Sequence, residues 1–190
     1  MVHQIVPLTQ LWLPILLSAV VVFVASSIIH MVIPYHKGDW KKLPNEEPVL
    51  DALRALGLAP GNYHFPHCAS HKDMKSPEYQ EKLKQGPIGL MTVFPNGAPN
   101  MTKYLTTWFL YTVVISFFVA YLTGRTLGPG TAYLAVFRVA GTVGFLSYGI
   151  AHAHASIWEG RAWSTTFKFL FDGLIYGCLT AGVFGWLWPK

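Results

Sequence analysis

The strongest constraint on the fold is the run from Leu11 to Ile33, which contains no formally charged residue. An α-helix rises about 1.5 Å per residue and the hydrocarbon core of a bilayer is about 30 Å thick, so about 20 apolar residues span it. A secretory signal peptide is the alternative, but its apolar core is usually about 7–15 residues and follows a basic segment. The residues before Leu11 include no Lys or Arg. The run therefore predicts a retained membrane anchor.

Three further apolar runs follow at Tyr104–Leu122, Thr131–Ala155 and Ser164–Trp188. Of the whole chain, 52% is hydrophobic and only 12% is charged, against about 25% charged in soluble domains. We therefore predict an all-α membrane protein with four transmembrane helices. Its parts are a tail and first helix (1–34), a mixed, loop-rich extramembrane segment (35–103) and helices two to four (104–190).

The extramembrane segment shows signals for short secondary-structure elements. Glu46–Leu56 has apolar residues on one helical face and is followed by Gly57, a suitable C-terminal cap. Ser76 and Pro77 suit the start of a second helix that runs to about Lys84. Ile88–Phe94 is predicted to be extended.

The distribution of Lys and Arg predicts the orientation, since four spans place both termini on the same side. Most Lys and Arg residues lie on the side that contains residues 35–103. The terminal side has Arg125, Arg138 and Lys190. The positive-inside rule then predicts that residues 35–103 are cytoplasmic and both termini are outside a bacterial inner membrane. The net charge of +5 is explained in this way, without a nucleic-acid partner.

Small and charged residues in the apolar runs indicate contacts with other helices. Gly173, Gly177, Ala181 and Gly185 recur every four residues and form one small-residue face, which favours close packing within the chain, self-association or contact with other membrane subunits. Arg138 has no evident partner in the sequence. Lys168 and Asp172 are spaced i, i+4 and are predicted to pair with each other.

The histidines are concentrated on one side of the predicted bundle. His3 falls on the terminal side, and the others fall on the loop side together with Cys68: His30, His36, His64, His67, His71, His152 and His154. Three interpretations remain open. His30 with His152 or His154 could hold haem b between two helices, with Asp172 orienting one ring. His36, His64, His67, Cys68 and His71 could bind copper or zinc. Interfacial histidines that bind lipid headgroups are the third.

Motifs for phosphate binding, a nucleophile elbow or a His-Glu-x-x-His zinc pair are absent from the sequence. This favours a non-catalytic accessory or assembly subunit of a larger membrane complex as the first hypothesis. A haem- or metal-binding membrane protein is the second, and an enzyme acting on a lipid or quinone at the loop-side interface is the third.

Three stretches carry a resemblance: His30–Asp39, Thr126–Gly130 and Phe171–Pro189. On these the whole chain resembles a family of uncharacterised bacterial four-span membrane proteins with no established activity. The resemblance implies a bacterial cell membrane and no mechanism.

Overall fold

The computed structural model describes residues 5–190, so the predicted terminal-side His3 lies outside the described residues. The described chain divides into two compact units. The first unit comprises the residues up to Trp40 together with Asn100–Lys190, and the second comprises Lys41–Pro99. Their helices and strands are, in chain order, α1 (Trp12–Met31), α2 (Glu46–Ala55), β1 (Gly61–Phe65), α3 (Pro77–Gln85), β2 (Gly89–Val93), α4 (Met101–Thr126), α5 (Tyr133–Tyr148), α6 (Ala153–Trp158) and α7 (Trp163–Trp186).

Within residues 5–190, four helical segments are long and apolar enough to cross a membrane: α1, α4, α5 continued by α6, and α7. The protein is therefore mostly helical, with a small two-stranded sheet in the described second unit. This confirms the predicted helical class and the four candidate spans. The segment between α1 and α4 contains both helices and strands, because β1 and β2 lie in it.

The long helices form an up-and-down bundle, which we call the helix bundle. In it α1 packs on α4 and α7, and α5 packs on the same two helices. Contacts between α1 and α4 show that these two helices are antiparallel. Ser18 of α1 contacts Ser116 of α4, whereas Ser26, later in α1, contacts Trp108, earlier in α4. Short loops connect α4 to α5 and α6 to α7, which favours antiparallel neighbours there, whereas the second unit separates α1 from α4 in the sequence.

Small polar side chains join α1 to α4 inside the helix bundle. The hydroxyl groups of Ser18 and Ser116 lie 3.0 Å apart, and both residues are fully buried. The indole nitrogen of Trp108 donates to the hydroxyl of Ser26 at 2.8 Å. Hydrogen bonds of this kind between helices are typical of membrane bundles, where apolar packing alone distinguishes poorly between partners.

Glycines let α5 and α7 approach at backbone distance. A Cβ on Gly144 would lie 3.1 Å from the Cα of Gly177, and a Cβ on Gly177 would lie 2.9 Å from the backbone nitrogen of Phe145. A Cβ on Gly173 would overlap the backbone of Gly149. Side chains are thus excluded along the α5–α7 contact.

The predicted small-residue face of Gly173, Gly177, Ala181 and Gly185 lies along this contact. Gly185 continues it at the other end, where a Cβ would meet the ring of Tyr133 at 2.6 Å. The first three residues are buried. Within the described chain, α5 of the same molecule covers this face.

The third apolar run forms one candidate span, Tyr133–Trp158, but its helix is interrupted near its end. Helix α5 ends at Tyr148, a 3₁₀ turn covers Ile150–His152, and α6 then begins at Ala153. The interruption at Gly149 lies where Gly173 of α7 approaches most closely.

The second unit, Lys41–Pro99, confirms the short-element predictions. Helix α2 begins at Glu46 as expected, and Gly57 after it has a φ of +59°. Helix α3 begins at Pro77, with the Ser76 hydroxyl accepting from the backbone N–H of Tyr79. Strand β1 pairs antiparallel with β2, from Gly61 opposite Val93 to Phe65 opposite Gly89.

Candidate metal centre and adjoining cavity

The chain that follows α1 folds onto α7 and brings two distant parts of the sequence together. Pro34–His36 form a 3₁₀ turn. The Lys168 ammonium of α7 donates to the backbone carbonyl of Tyr35 at 2.6 Å and to the Asp39 carboxylate at 2.6 Å. These contacts fix the position of His36, which lies between the two residues that Lys168 binds.

His36 lies between two carboxylates. Its Nδ1 is 2.6 Å from Oδ2 of Asp39, and its Nε2 is 2.8 Å from Oδ2 of Asp172. The exposed fractions of the side chains are 11% for His36, 6% for Asp39 and 2% for Asp172. The contacts are therefore short, charge-assisted and largely shielded from solvent.

The hydrogen count of this arrangement matters for its chemistry. A neutral imidazole carries one N–H, whereas both ring nitrogens of His36 face acceptor oxygens. The contacts at both nitrogens are satisfied only with a second proton among the three groups, or with a cation between Nε2 and Oδ2 of Asp172. In the latter case Nδ1–H donates to Asp39, which is the arrangement usual for a metal-bound histidine.

His30, at the end of α1, adds a third donor atom to this pair. Its Nε2 is 3.8 Å from Oδ2 of Asp172, and its ring centroid is 4.4 Å from that of His36. Within residues 5–190, these three residues form the one set of three or more metal-capable side chains whose donor atoms lie within 4.8 Å of each other. His36 was predicted as a copper or zinc ligand together with loop residues, and His30 was predicted as a haem ligand between helices. The structure places these two histidines next to each other.

The ion pair of Asp39 and Lys168 supports His36 from the side away from Asp172. Burial by itself would raise the pKa of the Asp39 carboxyl, but the hydrogen bonds from Lys168 and His36 outweigh it and lower that pKa below its ordinary value. Asp39 therefore stays ionised at neutral pH and accepts from Nδ1 of His36.

The predicted pairing of Lys168 with Asp172 is wrong. Lys168 instead binds Asp39 and the Tyr35 carbonyl, and Asp172 faces His36 and His30. The i, i+4 spacing places the two side chains on one face of α7. Lys168 nevertheless pairs with the carboxylate of Asp39, which is distant in sequence. Asp172 does lie against a histidine ring, as predicted, although the ring is that of His36.

A cavity of about 460 Å³ is lined by two of the three residues, His30 and Asp172. Its walls come from all the long helices of the bundle: Ser26, Ser27, His30, Met31, Met101, Leu105, Trp108, Tyr148, His152, Phe169, Asp172 and Tyr176. His30 and His152 both line this cavity. The His152 ring stacks on that of Phe169, with centroids 4.6 Å apart.

Two polar atoms in the wall of this cavity have no hydrogen-bond partner among residues 5–190. They are Oδ1 of Asp172 and the hydroxyl oxygen of Tyr176, and both are buried. Buried polar groups are usually satisfied, so such exceptions call for a physical explanation. Tyr176 was not predicted from the sequence, because a tyrosine is an ordinary residue in an apolar helix.

The other predicted residues lie elsewhere. His154 is exposed on α6 and is not part of the cavity wall. In the second unit, His64 is on β1, and His67 and His71 are exposed. The Cys68 thiol donates to the Ser70 carbonyl. These four loop residues are not brought together as a set of metal donors in the described chain.

Comparisons of the chain with models of protein families, with curated proteins and with solved structures give no match. The resemblance to a bacterial membrane family therefore stays a prediction.

Replacement of Lys168 by Met tests whether the Asp39 ion pair holds the segment after α1 in place. We expect the free energy of unfolding to fall by about 1–3 kcal/mol, because a buried carboxylate loses its charged donor. The Tm in mild detergent measures it, at about 2–4 °C per kcal/mol for a chain of this size. Ionised Asp39 contributes to the free energy of unfolding at every pH above the pKa that its carboxyl has in the unfolded chain. This contribution is lost as the pH falls through the lowered pKa of the same carboxyl in the folded protein.

Lys82→Met is the matched control, since Lys82 makes an exposed ion pair with Glu78 at 2.7 Å. Exposed pairs contribute little, so this variant should keep the Tm of the unmodified protein. Equal Tm shifts in the two variants would contradict a special role of the Asp39 pair.

Proposed function

We propose that the protein is an integral membrane protein of the bacterial inner membrane that binds a divalent transition metal at one end of its helix bundle. The outer surface of the bundle supports the membrane part. Large apolar side chains are exposed along it, such as Leu16, Val20 and Val24 on α1 and Val114 and Phe118 on α4. Apolar surface of this extent is unfavourable in water and suits the hydrocarbon of a bilayer.

The orientation has residues 35–103 in the cytoplasm and both termini outside. Its support is the accumulation of Lys and Arg on the loop side. Single cysteines report it once Cys68 and Cys178 have been replaced by Ser. In spheroplasts, a membrane-impermeant maleimide should label Lys190→Cys directly and Lys72→Cys only after lysis. The opposite labelling pattern would invert the orientation.

The observation that carries the metal proposal is the convergence of His30, His36 and Asp172. Two imidazoles and one carboxylate are the donors found in catalytic zinc sites and in non-haem iron(II) sites. Three protein donors leave a coordination position for water or another ligand. Asp39 supplies the carboxylate that orients His36 through its other ring nitrogen, a feature that commonly accompanies a metal-bound histidine.

The distances support this set. Donor atoms about 2.0–2.1 Å from a tetrahedral zinc ion lie about 3.4 Å from each other. The separation of 3.8 Å between His30 and Asp172 and that of 2.8 Å between His36 and Asp172 fall on either side of this value. All three donor atoms lie within 4.8 Å of one another, so side-chain adjustment can bring them to metal-binding distance. The metal also replaces the additional proton that His36 and the two carboxylates otherwise share.

Elemental analysis of the purified protein tests the site, covering iron, copper and zinc. We expect near-stoichiometric metal in the unmodified protein and, in His30→Gln, an affinity lower by more than about tenfold, since even outer partners of metal-bound histidines contribute 10–100-fold. His30 suits the test because its side chain is 39% exposed, so folding depends on it less than on His36.

Two control variants separate the alternatives. His154→Gln changes an exposed histidine on α6, and His64→Gln changes one of the predicted loop donors. Both should keep the metal. Loss of metal in His64→Gln, with retention in His30→Gln, would move the site to the loop. Absence of metal from all preparations would refute the metal proposal.

An accessory or assembly subunit of a larger membrane complex is the second candidate function, and Arg138 favours it. Arg138 lies in the second turn of α5 and is exposed on the outer surface of the bundle. Among residues 5–190, its guanidinium group takes part in none of the ion pairs. It borders a cleft of about 240 Å³ between α5 and α7. A charge at membrane depth is costly without a partner, and an acidic residue of another subunit would supply one.

Extraction from the native membrane in mild detergent tests this candidate. The protein should migrate as part of a complex of reproducible composition, and Arg138→Leu should release it. Arg125→Leu is the control, because Arg125 lies at the end of α4 and its side chain reaches the interface. Migration of the unmodified protein as a lone monomer would contradict the subunit role.

A further inference from the structure

The cavity beside the candidate metal centre contains an unmatched acceptor and an unmatched hydroxyl group. Asp172 and Tyr176 are four residues apart on α7, so their side chains are neighbours on one face of the helix. Both line the cavity, and both Oδ1 of Asp172 and the Tyr176 hydroxyl are buried without a partner among residues 5–190. The second carboxylate oxygen of Asp172 is already in contact with His36.

A ligand hydroxyl group satisfies both atoms at once. It donates its hydrogen to Oδ1 of Asp172 and accepts from the hydroxyl of Tyr176. We propose that the cavity binds a single-chain amphiphile with an uncharged aromatic hydroxyl head, of the alkylphenol or hydroquinone class, with the head at Asp172 and Tyr176. This goes beyond the metal proposal and does not depend on a bound metal.

The other walls suit the apolar parts of such a ligand. Trp108, Tyr148 and Phe169 supply aromatic surface around the head. A volume of about 460 Å³ is within the range of about 300–1,000 Å³ usual for small-molecule sites. Met31 and Met101 also line the cavity, and they are 74% and 57% exposed. Because Met31 ends α1 and Met101 begins α4, an alkyl tail can leave past these methionines at the loop-side end of the helix bundle.

The charges of the wall select the head group. Asp172 repels an anionic head such as a fatty-acid carboxylate. Lys168, the cation of α7 on the same helical face, is already bound to Asp39 and the Tyr35 carbonyl. An alkylammonium head would pair with Asp172 but would lose its hydration in a mostly apolar cavity. An uncharged hydroxyl donor avoids both costs.

Calorimetric titration of the full-length protein with two matched probes tests this inference. The probes are 4-octylphenol and its methyl ether, at equal detergent concentration. The ether lacks the hydrogen that Asp172 would accept, so we expect it to bind about tenfold more weakly, as for the loss of a hydrogen bond to a charged group.

Tyr176→Phe should weaken binding of 4-octylphenol several-fold. Because the Tyr176 hydroxyl has no partner among residues 5–190 without the ligand, its removal should leave folding intact. Tyr121→Phe is the matched control, since Tyr121 is exposed on α4 away from the cavity wall, and it should bind like the unmodified protein.

Equal affinities for the phenol and the ether, tighter binding of octylamine than of the phenol, or equal behaviour of the two tyrosine variants would overturn the inference, and so would absence of binding. Metal content measured on the same samples reports separately on the metal centre. A protein without metal that still distinguishes the two probes would refute the metal proposal alone.

Discussion

The buried carboxylate of Asp172 is the group on which the candidate site depends. A charge within a membrane helix costs on the order of 2.5–3.5 kcal/mol on insertion scales, so it persists only with partners that offset this cost. Asp172 finds such partners in the His36 ring at 2.8 Å and the His30 ring at 3.8 Å. The need of this carboxylate for a partner therefore gives a physical reason for the chain after α1 to fold back onto α7, and Lys168 strengthens the arrangement by holding Asp39 and the Tyr35 carbonyl.

Helix α7 also packs closely against α5, through residues other than those that line the cavity. Glycines on α5 and α7 let the two helices meet without side chains between them, and α5 ends where Gly173 reaches Gly149. The 3₁₀ turn that follows carries His152, whose ring stacks on Phe169 of α7. Helix α7 thus packs closely on α5 through one set of residues and lines the cavity through another. The residues that line the cavity include Asp172 and Tyr176.

The sequence predicted what depends on local patterns and on length. The four apolar runs, the helix starts at Glu46 and Pro77 and the cap at Gly57 follow from periodicity, capping and hydropathy, and the structure has them. The histidine side of the bundle followed from counting spans. The pairing of Lys168 could not be predicted, because Asp39 is separated from it by more than a hundred residues and only the fold makes the two neighbours. The interruption at Gly149 was hidden for a similar reason, since its close neighbour is Gly173 of another helix.

The metal centre and the cavity make complementary demands on one carboxylate. Oδ2 of Asp172 lies beside the two imidazoles, where a bound cation would replace the additional proton, and Oδ1 is buried without a partner among residues 5–190. A group used only to stabilise the bundle would be expected to have both oxygens satisfied from within the chain, as buried polar groups usually are. The division of Asp172 between a polar, histidine-lined side and an unsatisfied side therefore argues for a binding role, because each side becomes fully paired only when something outside the chain is bound.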